Sequence, residues 1–235
     1  MSYEKYKINE EAKSVQDLFT EIGLSDIINP YQITPAGQKL ITAAKVPEIE
    51  DIYLRQYCCY EIPNSLERSF PGGKMKPFVL FLEVLNLLQD KGMDGFNKFE
   101  TGLFIQKFQD HTSTLAKEII EEVVEFRDKM SKCTTSKEIK AVKQEYLAEL
   151  REFAGIDPNS VVRDYSDTTF RYFSLSGLFT RISDTIVIRP NKRDFAKKLL
   201  ELEPIFMFSD NPIEYFKQFY WNSYQIPTDI KEFAL

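Results

Sequence analysis

The sequence is short of the residues that carry most protein chemistry. Among 235 residues there is one histidine, one tryptophan and three cysteines. Cys58, Cys59 and Cys133 are too few, and odd in number, for a disulfide framework, and neighbours such as Cys58 and Cys59 rarely bridge. No Cys/His cluster has zinc spacing. His111 would have to serve as the base of any Ser-His-Asp or Cys-His nucleophile, and it sits in a polar stretch. No glycine-rich loop has the spacing that cradles phosphate, and Gly72-Gly73 reads as a turn. No apolar run approaches the roughly 20 residues of a membrane span, and the opening Met-Ser-Tyr-Glu-Lys-Tyr-Lys lacks the apolar segment of a signal peptide. The expectation is a cytoplasmic chain with reduced cysteines, no membrane partner, no metal site and no resident cofactor. At 43% hydrophobic residues, a core can form without disulfides or metal.

What is present concentrates in residues 163–198. This stretch holds eight Arg or Lys and four Asp, a net charge of +4, in a chain whose total is −6, so the remaining residues carry −10. A basic island in an acidic protein is the electrostatic footprint of nucleic-acid binding; a solvated face of an ordinary α+β core is the competing reading. Asp164, Ser166 and Asp167 can cap a helix, and Phe170, Phe173, Leu175 and Leu178 fall on one side of it. Gly177 ends it, Thr185-Ile-Val-Ile-Arg189 reads as a strand, and Pro190-Asn191 breaks that strand before a helix near Asp194. Helix, short hairpin, helix is the layout of a winged helix.

The same order occurs earlier. Leu18-Phe-Thr-Glu-Ile-Gly-Leu24, then Tyr31-Gln-Ile-Thr-Pro35 and a helix, parallels Tyr172-Phe-Ser-Leu-Ser-Gly-Leu178, then Ile186-Val-Ile-Arg-Pro190 and a helix. Between the copies, Pro47 opens a helix that runs toward Ile62-Pro63, and residues 63–74 read as a loop. Pro77 starts a helix that is apolar nearly all round and so belongs at the centre of a core. Asn97-Lys-Phe-Glu100 is a capping box for a helix bearing Leu103, Phe104 and Phe108. Residues 112–153 read as two charged antiparallel helices protruding from the second unit, with Glu118, Glu121, Glu122 and Glu125 as a solvated face. The expected fold is mainly α with small β-hairpins: a first winged-helix-like unit and following helix over 1–62, a second over 63–203 with the helical hairpin inserted at 112–153, and an aromatic-rich segment at 204–235. Those late aromatics either close the second core or form a docking surface for a further domain.

Four stretches together resemble the AlwI-type restriction and nicking endonucleases. They are Tyr31-Gln-Ile-Thr-Pro-Ala-Gly-Gln-Lys-Leu40; Asp51-Ile-Tyr-Leu-Arg-Gln56 with Tyr60 and Pro63; the Pro77 helix followed by Ala116-Lys-Glu-Ile-Ile-Glu-Glu-Val-Val-Glu-Phe-Arg127; and Asp167-Thr-Thr-Phe-Arg-Tyr-Phe-Ser-Leu-Ser-Gly-Leu-Phe179. The resemblance covers about residues 15–200 in family order. It implies an N-terminal DNA-recognition region built on winged-helix units, placed ahead of a separate Mg²⁺-dependent catalytic domain of a type II, type IIS-like enzyme. Only the recognition region is matched. Nucleases of this class hold Mg²⁺ with an Asp and a Glu-x-Lys on adjacent strands. Glu11-Ala-Lys13 and Glu138-Ile-Lys140 have the string but fall in helical context, so no catalytic or metal residue is expected here, and Mg²⁺ belongs to the absent catalytic domain.

Binding remains, with double-stranded DNA as the expected partner. Thr168, Thr169, Arg171, Tyr172 and Ser174 lie on the recognition helix, and Arg171 is the best candidate for a base contact because its fork fits guanine O6 and N7. Arg181, Arg189, Lys192 and Arg193 lie on or beside the wing and suit phosphates. Arg55, Gln56, Lys74 and Lys76 are weaker candidates, the lysines because they precede an apolar helix start. If residues 204–235 do not close the core, they are a docking point for a nuclease domain or subunit. The alternative function is a free-standing winged-helix regulator or protein-interaction module; a complete small enzyme lacks a catalytic constellation.

Overall fold

A computed structural model describes residues 23–24, 32–63, 74–105, 110–154, 162, 166–202, 206, 212–215, 217, 225–227 and 230. The helix expected before Gly23, the loop at 64–73, Phe108 and the N-caps at Asp164 lie outside these residues.

The capping and proline signals read from the sequence become element ends. Helix α1 (Pro35–Thr42) is capped by Thr34, whose Oγ1 accepts the Gly37 N–H at 3.0 Å. Helix α2 spans Val46–Cys59 and α3 spans Pro77–Asp90. Strand β1 (Phe96–Asn97) runs into a single turn of helix, α4 (Lys98–Glu100), which continues as a π-helical turn over Thr101–Ile105. The capping box closes both ways: Asn97 Oδ1 accepts the Glu100 N–H at 2.9 Å, and Glu100 Oε2 accepts the Asn97 N–H at 3.1 Å. Helices α5 (Leu115–Ser131) and α6 (Ser136–Ala154) form the hairpin. Helix α7 (Ser166–Ser174), strands β2 (Phe179–Ile182) and β3 (Thr185–Ile188), a 3₁₀ turn at Pro190–Lys192, α8 (Arg193–Leu200) and α9 (Pro212–Tyr215) follow. The described residues are thus mostly helical, with one small antiparallel sheet in the order β1-β3-β2.

The register of that sheet pairs Phe96 with Ile186, Phe179 with Ile188 and Ile182 with Thr185. Ser183-Asp184 therefore form a two-residue turn, and Ser183 takes the positive φ (58°) such a tight connection requires. Along β3, Ile186 and Ile188 point into the core and Thr185 and Val187 are half-buried, the period-2 pattern of a sheet with one covered face.

Helix α3 is the centre, as its all-round apolarity predicts. Phe78, Leu80, Phe81, Leu82, Val84, Leu85 and Leu88 are all buried. Phe81 is an aromatic hub: its ring meets Phe96 of β1 (6.1 Å between centroids), Phe170 and Phe173 of α7 (6.5 and 5.7 Å) and Phe179 of β2 (5.4 Å). Contacts of this offset and edge-on kind add about 0.5–1.5 kcal/mol each beyond burial.

Two expectations fail here. The hairpin does not simply protrude. Leu115, Ala116, Ile119, Ile120, Val123 and Phe126 of α5 are buried in the main core, and Phe126 packs on Phe99, Phe104 and Tyr146. The repeated Ile and Val behind the glutamates supply a full apolar stripe, and such a stripe must be covered; Glu118, Glu121 and Glu125 are exposed, as expected. Leu175, placed on the inner face of the recognition helix, is 40% exposed because α7 has already ended at Ser174. Among the described residues of the late segment, Tyr215, Ile226 and Ile230 are buried and Phe206 is half-buried, while most of its aromatics lie outside the described residues.

The internal repeat has a hydrogen-bond counterpart. Gly23 and Gly177 both adopt positive φ (74° and 71°). The Thr34 N–H donates to Leu24 O at 3.3 Å, and the Arg189 N–H donates to Leu178 O at 2.8 Å. In each copy the residue before proline is thus tied to the leucine after glycine. Thr34 Oγ1 adds a bond to Gly23 O at 2.6 Å. Helix α1 enters so closely that a Cβ on Gly37 would lie 2.0 Å from Leu24 O and 2.7 Å from Ile33 Cγ2. Gly37→Ala is therefore expected to destabilise toward the upper end of the ~1–3 kcal/mol typical of overpacking, since a backbone oxygen cannot rotate away. Urea unfolding should show a lowered midpoint with an unchanged slope; a midpoint shift worth less than ~0.5 kcal/mol would contradict this packing.

Candidate nucleic-acid interface

The basic stretch divides into side chains that face solvent and side chains bound into the fold. On α7, Arg171 is the most extended, with its side chain 72% exposed. Its Nε contacts Asp167 Oδ2 at 2.9 Å, one turn earlier. Asp167 also accepts from Lys98 Nζ at the start of α4, and this bond, then the charges of Lys98, Arg171 and Arg181, hold its carboxyl below the usual carboxylate range. One carboxylate thus steadies cations from two helices. Thr168 and Thr169 are half-buried beside it. Tyr172 packs partly against the core, and Ser174 Oγ donates back to Phe170 O at 2.5 Å. Arg171 is therefore the residue of this helix best placed to reach a ligand.

On the hairpin, Arg181 is exposed and donates from Nε to Ser183 O at 2.8 Å, lying along the turn. Ile182 beside it is 60% exposed. Lys192 is half-buried at the end of the 3₁₀ turn.

Most of the other candidates are bound into the fold. Arg189 Nε donates to Phe179 O at 3.0 Å and its guanidinium meets Glu50 Oε1 at 3.2 Å, clamping β2 to α2. Arg193 and Lys197 both bind Asp90 Oδ1, at 2.9 and 2.8 Å, joining α8 to the end of α3; the Lys197 bond, followed by the charges of Lys197 and Arg193, keeps the Asp90 carboxyl low. Arg55 is held bidentately by Asp51 (2.7 and 3.0 Å). Gln56 is wholly buried in α2, so it presents nothing to a groove. Lys74 remains exposed, while its backbone N–H donates to Asp110 Oδ1 at 2.9 Å.

Lys76 departs furthest from expectation. It is 1% exposed. Its Nζ donates to Cys58 O (3.1 Å) and Cys59 O (3.0 Å) at the end of α2 and lies 3.7 Å from Glu61 Oε2. Glu61 Oε1 in turn accepts from the buried Tyr215 hydroxyl at 2.8 Å. Burial pushes the Lys76 ammonium below its ordinary pKa, against the pull of Glu61. His111 is also inside: its Nε2 meets Glu83 Oε2 at 2.9 Å and its Nδ1 faces the Lys76 N–H at 3.5 Å. The adjacent Cys58 thiol is buried and its pKa is pushed up to about 12, chiefly by desolvation, which leaves it unreactive at neutral pH.

Metal-binding chemistry finds no ready set. Among the described residues no group of three or more His, Cys, Asp or Glu could hold a metal ion. Glu138 is committed to the start of α6, accepting the N–H groups of Thr134 (2.7 Å) and Thr135 (3.0 Å). Glu11 and Lys13 lie outside the described residues. No described helix is long and apolar enough to cross a membrane.

Sequence reasoning missed Lys98. Its ion pair with Asp167 spans 69 residues and leaves no local signal.

Comparison with known proteins places these observations. The family model described as AlwI restriction endonuclease matches residues 20–235. The crystal structure of pyrene- and phenanthrene-modified DNA in complex with the BpuJ1 endonuclease binding domain aligns with a TM-score of 0.52, covering 87% of this chain and 69% of that one at 12% identity; at that identity the likeness speaks for the fold. No curated protein matches the chain.

Proposed function

The chain belongs to the AlwI restriction endonuclease family, and from that premise we propose that it is a region that recognises double-stranded DNA in sequence-specific fashion, with α7 as the reading helix. The observation that carries this is the exposed Arg171, anchored at its base by Asp167 and standing beside a two-residue β-turn that holds Arg181. A rigid cation next to a hairpin suits a major groove with the hairpin on the flanking backbone. The DNA in the BpuJ1 endonuclease binding-domain structure supports the same reading.

The order of elements supports a finer architecture. Helix α3, strand β1, the α4 turn, α7 and the β2–β3 hairpin, with sheet order β1-β3-β2, have the layout of a winged helix in which α5 and α6 are inserted between the second and third helices. The paired Gly–Leu and X-Pro bonds support a second unit of that kind near the N-terminus. We assign these units to 1–62 and 63–203. Mg²⁺-dependent cleavage, of the type IIS kind, then belongs to a separate catalytic domain. Docking of that domain through 204–235 would have to use side chains other than Tyr215, Ile226 and Ile230.

The test begins with duplexes selected from a random pool. The chain should retain a defined sequence and should not nick it with Mg²⁺. Arg171→Ala should lose about 1–3 kcal/mol on the selected duplex and relax preference at one base position. Lys192→Ala should weaken selected and scrambled duplexes equally and lower the salt slope by about one. Equal loss on both duplexes for Arg171→Ala would lay α7 on the backbone rather than in the groove. Failure to retain any duplex would favour a protein-interaction module.

A further inference from the structure

We propose that the inserted hairpin is itself a DNA-contacting element: the lysine edge of α6, formed by Lys137, Lys140 and Lys143, grips backbone phosphates beside the segment that α7 reads. The inference rests on the reading above and extends it to an element outside the basic island.

Three observations converge on it. The first is sign segregation along the hairpin. The exposed acids of α5, Glu118, Glu121, Glu125 and Asp128, run along most of its length, whereas the start of α6, from Ser136 to Lys143, carries three lysines and one acid. Lysines at i, i+3 and i+6 form a connected strip on a helix surface. The acid among them, Glu138, is occupied by the N–H groups of Thr134 and Thr135.

The second is what the neighbouring cations do. Arg127 binds Glu100, Lys129 binds Glu125 and Glu145, and Lys132 binds Asp128. Lys137 and Lys140 are exposed and have no acidic partner among the described residues. Where the rest of the hairpin pairs its cations with acids, the start of α6 sets three lysines around a single acid, Glu138, that is already taken up by the backbone.

The third is place. Lys143 lies with its ammonium 4.8 Å from the Phe99 ring centroid. It lines a groove together with Asn97, Lys98, Phe99 and Asp184. Lys98 is the residue that meets Asp167 of α7, and Asp184 is the turn of the β2–β3 hairpin. The groove therefore runs from the base of the reading helix, past the hairpin turn, to the lysine strip. Its two lysines outnumber its one acid. A duplex seated on α7 carries a phosphate strand on either side of the groove it presents, one charge per ~1.7 Å of axis, and the strip is positioned to meet one of those strands. Backbone contacts of this kind set register and orientation without reading bases.

The experiment compares the chain with a Lys137→Ala/Lys140→Ala/Lys143→Ala variant on a duplex selected from the random pool and on its scrambled counterpart. Lys117→Ala, at the far end of α5, serves as the control, and circular dichroism checks that helix content is kept. The triple variant should bind both duplexes about ten- to a hundredfold more weakly at low salt. Its log–log salt slope should be shallower by two to three, at ~0.9 per lost phosphate contact. Hydroxyl-radical footprinting should lose protection at flanking backbone positions while the central footprint and base preference persist. Lys117→Ala should match the parent chain. An unchanged salt slope and footprint in a folded triple variant, with Arg171→Ala still relaxing specificity, would overturn this inference and leave the reading helix intact. If the parent chain binds no duplex, both fall together.

Discussion

Lys76→Ala is expected to remove about 3–5 kcal/mol of folding stability, the range for breaking a buried ion pair from one side. The lysine satisfies the carbonyls of Cys58 and Cys59 where α2 ends, and carbonyls in a last helical turn have no partner within their own helix. It also faces Glu61. Removing it takes the facing ammonium from the buried Glu61 carboxylate and the Lys76 hydrogen bonds from the Cys58 and Cys59 carbonyls. Lys76→Met keeps the stem and isolates the charge effect, and Lys76→Met/Glu61→Gln should recover part of the loss because neither charge is then stranded. Guanidinium unfolding of the parent, Lys76→Met, Glu61→Gln and the double variant gives the cycle; a Lys76 single-variant loss under ~1 kcal/mol would contradict the geometry. The same group predicts a pH signature. Its folded pKa lies below the unfolded value of ~10.4, so between the two the unfolded chain binds more protons and this lysine's contribution to stability rises with pH. That rise should be absent from Lys76→Met when the two proteins are compared at matched pH.

Arg127→Ala should be nearly as damaging. Arg127 binds Glu100 through two bonds (2.7 and 2.8 Å) and reaches Asp94 O (2.9 Å) and Gly95 O (2.7 Å) with the rest of its guanidinium. Glu100 is 3% exposed and also closes the Asn97 capping box. The arginine thereby fastens α5 to the loop before β1 and to the turn that holds Lys98. Its loss strands a buried carboxylate, with an expected cost of about 3–5 kcal/mol. Arg127→Lys should recover little, since one ammonium cannot span the fork and two carbonyls. Glu100→Gln/Arg127→Met should be less destabilised than Arg127→Ala if the stranded charge is the cause. Thermal unfolding checks the order, and equal losses for the single and double variants would assign the effect to packing of the arginine stem instead.

The parts of this fold that rest on local chemistry were readable. Thr34-Pro35, Asn97 with Glu100, and the apolar faces of α3 and β3 specify caps, turns and burial through neighbours within four residues. The family also was readable, because its motifs lie in continuous stretches of sequence, although the contacts that Gly37 and Arg127 make, with Leu24 O and Glu100, are distant in the chain. Long-range pairing was not readable. Lys76 looks like any cation ahead of a helix until the end of α2 arrives over it. Arg189 and Arg193 look like wing cations until Glu50 and Asp90 meet them. Gln56 occupies a helical position whose polarity suggested exposure, yet it is wholly inside. Of the thirteen candidate positions, Arg171, Arg181 and Lys74 stayed outward, the two arginines each meeting a partner nearby in sequence, Asp167 and Ser183.

The ring of Phe81 touches β1, α7 and β2 at once. A helix and a hairpin that share one aromatic pivot cannot tilt independently. Their relative angle is settled during folding, so little orientational freedom is left to lose when a ligand docks across both. Association should then be close to rigid-body, with a fast, salt-steered on-rate and small changes in backbone protection outside the contact itself. A smaller residue at this pivot would loosen the angle between the two elements, and its signature would be kinetic: slower, multi-step capture of the same duplex.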